Sequence, residues 1–165
     1  MKTLVLIRHA KSSWKFSKLK DKDRPLKERG LVEAPLIGKV LKTLDIVPDI
    51  ILTSPAVRAI TTAKMIAKEV GLADEQIIAV KNLYFESMFK LLQEISKIDD
   101  MYNTVFLVGH NPGLTELANE MTRKSIKNIP TSGAFGIQFE SETWAQVKNS
   151  IGENHFFEFP KKHRE

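Results

Sequence analysis

The sequence predicts an α/β protein with one domain, a mostly parallel central sheet and helices on both faces of that sheet. Short apolar runs alternate with segments whose apolar residues recur at helical spacing, a pattern typical of parallel strands joined by helices. A chain of 165 residues fits one domain. Its 42% hydrophobic and 27% charged residues are ordinary for a globular protein. We therefore expect a domain over residues 1–160 and a frayed tail over residues 161–165.

The first two strands and helices are predicted from simple patterns. The apolar run at residues 3–7 predicts a strand, and the charged, irregular stretch that follows predicts a loop over residues 11–27. Apolar residues at helical spacing predict a helix over residues 31–44, with Pro35 near its first turn or at a bend. A second strand is expected over residues 49–53.

The next helix has clear start and stop signals. Ser54 is expected to cap its N-terminus, with Pro55 at the first helical position and Gly71 at the C-terminal stop. The remaining elements follow from the same patterns: strands over 76–80 and 104–108, helices over 87–98 and 112–121, an antiparallel pair over 134–140 and 144–148, and an added edge over 156–159.

Composition limits the classes of protein that fit. The chain has no cysteine, which excludes disulfides and thiolate metal ligands and agrees with a reducing, cytoplasmic location. No segment approaches the roughly 18 apolar residues of a membrane helix, so we expect no membrane association. Residues 1–30 hold ten Lys or Arg and three acidic residues, a net charge of about +7. This charge favours anionic partners, but no nucleic-acid-binding motif accompanies it, so nucleic acid is not expected.

Two histidines and two arginines are predicted to lie at strand ends. Arg8 and His9 follow the first strand, Arg58 lies in the first turn after the second, and His110 follows a later apolar run. Ligands bind beyond the carboxyl ends of parallel strands, where helix N-termini also favour anions. Guanidinium groups bind phosphoryl oxygens at two points. These residues together predict a phosphate site, and no carboxylate or histidine near His9 has the spacing of a metal ligand.

Three segments resemble the motifs of a known family. Residues 6–11, 53–59 and 108–112 are similar to those of the histidine phosphatase superfamily, and residues 21–30 are similar to its SixA-type phosphohistidine phosphatases. Ala10 stands where the wider superfamily usually has glycine, and Lys27 stands where Thr or Asn more often precedes the helix. The resemblance implies a phosphoglycerate-mutase-like fold without a lid insertion.

The resemblance also implies roles for the residues at the strand ends. His9 would be the nucleophile that forms a covalent phosphohistidine, which water then hydrolyses. Arg8, Arg58 and His110 would hold the phosphoryl oxygens. His9 would need one neutral ring nitrogen, with the other donating to a backbone carbonyl or a similar acceptor. Arg24 and Asn111 are further substrate-binding candidates, and no metal or cofactor is implied.

The substrate is left open between protein and small molecule. Glu86 lies where relatives that cleave phosphate esters carry a general acid, which would make the protein a small-molecule phosphomonoesterase; alternatively, Glu86 simply benefits from the N-terminus of the next helix. Without a lid, a basic rim would admit a phosphorylated protein as well as a small phosphate ester. A module that binds phosphate without turnover is the second alternative. The sequence has no apolar stripe that indicates a dimer, so we expect a monomer.

Overall fold

The computed structural model describes residues 1–164. Its strands are β1 (Lys2–Arg8), β2 (Ile50–Thr53), β3 (Ile77–Ala79), β4 (Thr104–Gly109), β5 (Ala134–Phe139) and β6 (Glu153–Glu158). Its helices are α1 (Glu28–Thr43), α2 (Val57–Val70), α3 (Met88–Ser96), α4 (Gly113–Thr122) and the short α5 (Trp144–Val147). Single 3-10 turns occur at Asp21–Asp23, Asp74–Gln76, Lys81–Leu83 and Pro160–His163. Among residues 1–164, no helix has the length and apolarity to cross a bilayer.

The six strands form one mixed sheet in the order β3-β2-β4-β1-β5-β6. The first four strands along the chain run parallel, while β5 is antiparallel to β1 and β6 is antiparallel to β5. Arg8 pairs with Gly109, and Thr53 pairs with Val108. This register brings the carboxyl ends of β1, β2 and β4 to the same edge of the sheet, as the alternation of strands and helices predicts.

Helices cover both faces of the sheet. Val5 and Ile7 of β1 point to the layer formed by α1 and α2, and Leu4 and Leu6 point to the layer formed by α3, α4 and α5. All four side chains have no exposed surface. A central strand buried on both faces is typical of a parallel sheet, so β1 sets Arg8 and the residue after it at a rigid position.

The segment that the sequence assigns to a strand over residues 144–148 is the helix α5, and that prediction is wrong. Thr143 caps α5 through a reciprocal capping box with Gln146. The buried Trp144 donates from Nε1 to the carbonyl of Tyr102 at 2.7 Å, which anchors the helix to the domain. The antiparallel partner of β5 is β6, which is longer than the edge predicted over residues 156–159.

The last described residues contact the rest of the domain. Residues Pro160–His163 form a 3-10 turn, and Arg164 donates to Glu33 of α1 at 2.6 Å. Since Glu33 is buried and charged, this ion pair ties the end of the described chain to the domain rather than leaving it frayed. Glu165, the last residue of the predicted tail, lies outside the described residues.

Helix α2 begins at Val57, two residues after the predicted first position, and its N-cap is Ala56 rather than Ser54. The Ser54 hydroxyl accepts a hydrogen bond from the backbone N–H of Ala56 at 3.2 Å, and so supports the turn that precedes the helix. The predicted C-terminal stop is confirmed, because Gly71 has a φ of 79°. This left-handed conformation is one that glycine adopts without strain.

Candidate active site

The structure brings the four predicted site residues together at the carboxyl edge of the sheet. Arg8 ends β1, His9 follows it, His110 follows β4, and Arg58 is the second residue of α2. The centroids of the two imidazole rings are 5.1 Å apart. His9 is 8% exposed, His110 is 5% exposed and Arg58 has no exposed surface. The site is therefore a concentrated group of buried polar side chains.

Hydrogen bonds hold the ring of His9 in one orientation. Its Nδ1 lies 2.8 Å from the backbone carbonyl of Ala10. A carbonyl can only accept, so Nδ1 carries the proton and Nε2 keeps its lone pair. The Ala10 N–H in turn donates to the Thr62 hydroxyl at 2.9 Å, and the His9 N–H donates to the Gly109 carbonyl at 3.1 Å. The backbone carbonyl expected as the partner of His9 is therefore that of Ala10.

The surroundings of His9 keep its ring neutral. The pKa of His9 is lowered to about 4, chiefly by burial and in addition by the positive charges of Arg58, Arg8 and Arg24, against the opposing effect of the hydrogen bond to the Ala10 carbonyl. At neutral pH the unprotonated Nε2 is then available for attack on an electrophile.

His110 is held by a residue that the sequence assigns to helix capping. Its Nε2 shares a hydrogen bond of 2.7 Å with the Ser54 hydroxyl. The ring of Phe85 stacks on it with centroids 4.2 Å apart, and Phe85 itself has a positive φ of 46°. The pKa of His110 is lowered to about 3, chiefly by burial and in addition by His9 and Arg58. His110 is therefore a neutral hydrogen-bonding group at physiological pH.

Arg58 is oriented by Asp21, which sequence analysis did not single out. Its Nη1 donates to the Asp21 carbonyl at 2.7 Å, and its Nη2 donates to Asp21 Oδ2 at 2.9 Å. The same carboxylate accepts from the Tyr84 hydroxyl at 2.6 Å and from Arg24 Nε at 3.2 Å. Burial alone would raise the pKa of Asp21, but the hydrogen bonds from Tyr84 and Arg58 lower it to about 2. Asp21 is thus a firmly ionised anchor for two arginines.

Arg24 lies at the side of the site, among the residues of the first loop. Its Nη1 donates to the Ser12 hydroxyl at 3.0 Å and to the Ser13 carbonyl at 3.1 Å. The guanidinium carbon lies 3.6 Å from the centre of the exposed Trp14 ring. Arg24 is therefore close enough to influence His9 electrostatically, while its own donors are largely engaged by this loop.

Asn111 contacts the segment that precedes β5, which also contacts Arg8. Its Nδ2 donates to Asn128 Oδ1 at 2.8 Å and to the Ile129 carbonyl at 3.0 Å. Arg8 Nη1 donates to the same two acceptors, at 3.3 Å and 3.2 Å. The Asn111 amide accordingly organises the segment that orients Arg8.

Glu86 lies at the outer wall of the site rather than in the group of buried residues. It forms an ion pair with Lys90 of α3 at 3.2 Å, and its side chain is 27% exposed. Glu86 and His110 line the same small cleft, which has a volume of about 210 Å³. The carboxylate therefore has access to a group bound beside His110, as well as a structural partner of its own.

Four buried side-chain atoms within residues 1–164 have no hydrogen-bond partner, namely Arg8 Nε, Arg58 Nε, His110 Nδ1 and Ser132 Oγ. An unpaired buried polar group costs about 1–3 kcal/mol, so proteins rarely keep one without a reason. Three of these atoms belong to the arginines and histidine of the predicted phosphate site. Such preorganised donors suit an anion with several oxygen atoms.

Sequence analysis missed Asp21, Ser54, Tyr84 and Phe85. Asp21 lies in the segment of residues 21–30 that carries part of the family resemblance, and this resemblance was the available signal for it. Ser54 likewise lies in the family-like segment of residues 53–59, whereas Tyr84 and Phe85 contact His110, which is more than 20 positions away along the chain, and lie outside these segments.

Comparisons with known proteins agree on one family. A family model described as the histidine phosphatase superfamily (branch 1) matches residues 4–126. An uncharacterized chloroplast protein of Arabidopsis thaliana is 30% identical over 154 residues, which cover 87% of this chain and 69% of that protein. Because this relative is itself uncharacterized, it does not indicate a substrate for the present chain.

Solved structures share the fold over almost the whole chain. A structure of the protein histidine phosphatase SixA complexed with tungstate has a TM-score of 0.83 at 17% identity, with 98% of this chain and 99% of that chain covered. An Agrobacterium tumefaciens protein provisionally described as a phosphohistidine phosphatase SixA has a TM-score of 0.82 at 25% identity, with 96% and 98% covered. Both likenesses therefore include the parallel strands and the antiparallel strands β5 and β6.

Proposed function

Because this chain belongs to branch 1 of the histidine phosphatase superfamily, we propose that it is a metal-independent phosphatase that acts on phosphohistidine in proteins. The fold is phosphoglycerate-mutase-like and consists of one small domain. In the proposed reaction His9 is the nucleophile, and Arg8, Arg58 and His110 bind the phosphoryl oxygens. The likeness to a SixA structure that contains tungstate, a tetrahedral oxyanion, supports a phosphoryl ligand but does not extend to the substrate.

The observation that carries this proposal is the orientation of His9. The Ala10 carbonyl accepts from Nδ1, burial keeps the ring neutral, and Nε2 is left as the nucleophilic atom. A histidine with only a structural role would not need a neutral ring with a free nitrogen beside two arginines. A group that must attack a phosphorus atom needs all of these features.

The chemistry follows from this arrangement in two displacements. His9 Nε2 attacks phosphorus, the bond from phosphorus to the substrate imidazole breaks, and the released imidazole nitrogen takes a proton from water. A second water then attacks the phosphorylated His9 and gives up a proton to the hydroxide left by the first, so that the bond from phosphorus to Nε2 breaks, inorganic phosphate leaves and the neutral ring is restored. Arg8, Arg58 and His110 would stabilise the charge on the transferred group in both steps, with the Ser54 hydroxyl donating to His110 Nε2 so that Nδ1 carries the proton.

An imidazole leaving group also explains why the site needs no strong general acid. The acid candidate Glu86 is paired with Lys90 and lies outside the buried group. The longest connection between the main elements, residues 9–27, lies beside the site and contributes Asp21 and Arg24 to it. A protein substrate that presents its phosphohistidine to His9 would therefore contact this connection.

The experiment compares a protein phosphorylated on histidine with p-nitrophenyl phosphate, both in the presence of a chelator. We expect rapid loss of the protein phosphohistidine and slow ester turnover. His9→Ala should abolish both, whereas His155→Ala, which replaces an exposed histidine on β6, should retain them. Retention of phosphohistidine hydrolysis by His9→Ala would contradict the proposal. Binding of phosphate by the wild type without turnover of either substrate would instead favour a phosphate-recognition module.

The second candidate function is a small-molecule phosphomonoesterase, and the position of Glu86 in one cleft with His110 favours it. In that case Glu86 would protonate the departing alcohol. Glu86→Gln would then lower ester hydrolysis strongly and leave phosphohistidine hydrolysis intact. Glu116→Gln is a matched control, because Glu116 lines the same cleft.

A further inference from the structure

An unusual group of exposed apolar side chains borders the site. Trp14 is 76% exposed, Phe16 is 49% exposed and Leu31 is 44% exposed. They line a cleft of about 530 Å³ between the first loop and the start of α1, which we call the aromatic cleft; the other residues that line it are Ser13, Lys15, Leu26, Lys27 and Glu28. Concentrated exposed aromatic surface on a small protein indicates an interaction site.

The aromatic cleft is connected to the site by direct contacts. The Trp14 ring lies over the Arg24 guanidinium at 3.6 Å, Arg24 donates to Asp21, and Asp21 binds Arg58. A molecule that fills the cleft would therefore lie next to the bound phosphoryl group. It would also be too large to be the phosphoryl group or the imidazole that carries it.

The positive charge around the aromatic cleft indicates what kind of molecule would bind there. Residues 11–28 carry seven Lys or Arg against Asp21, Asp23 and Glu28, and Asp21 is already paired with Arg58. Lys15, Lys18 and Lys20 are exposed. Apolar side chains with a cationic rim complement a protein surface that has apolar groups with an acidic border.

We propose that the aromatic cleft docks an acidic protein that presents its phosphohistidine to His9, an assignment that rests on the proposed function. The cleft supplies affinity for the protein around the phosphohistidine, while Arg8, Arg58 and His110 bind the phosphoryl group itself. The two contributions are separable, because a free phosphorylated amino acid reaches only the second.

The test uses the double variant Lys15→Glu/Phe16→Ser, which reverses one rim charge and removes one cleft side chain. Its control is Lys42→Glu/Val47→Ser at the opposite edge of the sheet, where Val47 is 51% exposed. The substrates are an acidic protein phosphorylated on histidine with phosphoramidate, a histone phosphorylated in the same way, and free phosphohistidine.

We expect the cleft variant to raise KM for the acidic protein about tenfold and to leave kcat/KM for free phosphohistidine within twofold. Raising salt from 50 to 300 mM should weaken hydrolysis of the acidic protein but not of the free amino acid. An unchanged KM in the cleft variant, or wild-type preference for the histone, would overturn docking while the proposed function stands. Wild type inactive on all three substrates would overturn both. Salt-sensitive binding of an RNA oligonucleotide that the cleft variant loses would also overturn the assignment to protein.

A different observation carries a second inference, at Ser132. Its side chain has no exposed surface, and its hydroxyl is the one unpartnered atom of the four that does not belong to a predicted site residue. Its backbone N–H contacts the carbonyls of Arg8 at 3.0 Å and of His9 at 3.3 Å. Ile7 pairs with Ala134, so continuing that register places Ser132 opposite His9.

The backbone conformation of Ser132 is a second observation that needs an explanation. Its φ of 61° lies in the left-handed region, which is costly for a residue with a Cβ. Glycine would remove both the strain and the unpaired hydroxyl, so a purely structural requirement does not explain serine here. We infer that the Ser132 hydroxyl donates to an oxygen of the phosphoryl group on His9, alongside Arg8, Arg58 and His110.

The matched variants are Ser132→Ala and Ser141→Ala. Ser141 is also buried, but its hydroxyl is paired with that of Ser150 at 3.2 Å. We expect Ser132→Ala to weaken inhibition by inorganic phosphate and orthovanadate about tenfold without lowering Tm. Ser141→Ala should lower Tm and leave inhibition unchanged. A lowered Tm with unchanged inhibition in Ser132→Ala would overturn the inference.

Discussion

Ser54 and His110 are joined by a hydrogen bond of 2.7 Å between the hydroxyl oxygen and Nε2, although 56 positions separate them along the chain. Ser54 follows β2 and His110 follows β4, and these strands are neighbours in the sheet. The bond joins the segment that leads from β2 into α2 to the segment that leads from β4 into α4. Nδ1 of His110 has no hydrogen-bond partner among the described residues and is therefore the ring nitrogen that is available to a ligand.

Ser54→Ala should weaken both catalysis and stability. The variant leaves a buried ring nitrogen unpaired, which costs about 1–3 kcal/mol in the free energy of unfolding. Loss of ring orientation should lower kcat for phosphohistidine about tenfold. Urea unfolding and steady-state kinetics measure the two effects, with Ser96→Ala, an exposed α3 hydroxyl, as control. A variant with wild-type kcat would contradict a role for Ser54 in positioning His110.

Asp21→Asn should weaken the hydrogen bonds that orient the Arg58 guanidinium. The amide cannot supply the negative charge that two arginines share, so we expect kcat/KM to fall about tenfold for p-nitrophenyl phosphate as well as for phosphohistidine. Asp23→Asn, in the same 3-10 turn, is the control. Equal kinetics in the two variants would exclude Asp21 as an anchor of Arg58.

The same carboxylate should affect acid stability. The pKa of Asp21 is depressed to about 2, so its contribution to the free energy of unfolding is present above the unfolded pKa of roughly 4 and is lost as the pH falls toward 2. Asp21→Asn should therefore be less stable than wild type at pH 7, and the difference should shrink between pH 4 and pH 2. A difference that stays constant over this window, measured by urea unfolding, would contradict the assigned pKa.

The activity should persist in mildly acidic solution. The pKa of His9 is lowered to about 4 from 6.5, so the nucleophile remains neutral at pH 5. We expect the acid limb of kcat/KM near pH 4, and not near the ordinary histidine value. Because protons bind the unfolded chain first between pH 6.5 and 4, the free energy of unfolding should fall as the pH drops through that range. An acid limb near pH 6.5 would mean that burial does not lower the pKa of His9.

Phe85→Ala should raise the pKa of His110. Burial is the main cause of its lowering to about 3, and the stacked Phe85 ring provides part of that burial. NMR titration of the His110 ring measures the change directly. Phe89→Ala is the control, since Phe89 is 72% exposed. Equal His110 titration in the two variants would show that the stacked ring contributes little.

Much of the architecture could be predicted from the chain because buried strands leave a strong local pattern. The apolar run before Arg8 and the one before His110 each predict a strand, and parallel strands bring their carboxyl ends to one edge. The antiparallel partner of β5 was harder, because residues 144–148 alternate as a strand would. The capping box of Thr143 and the burial of Trp144 make them a helix instead.

The sequence by itself determined the fold class, the family resemblance and the convergence of Arg8, His9, Arg58 and His110, since each follows from local pattern and strand direction. Only the tertiary structure decided which groups hold them. The Ala10 carbonyl selects the tautomer of His9, Asp21 aims Arg58, and Ser54 fixes His110. The contacts at Arg58 and His110 join residues 37 and 56 positions apart. Their energies depend on burial and on distances of about 3 Å, which no local pattern of residue types encodes.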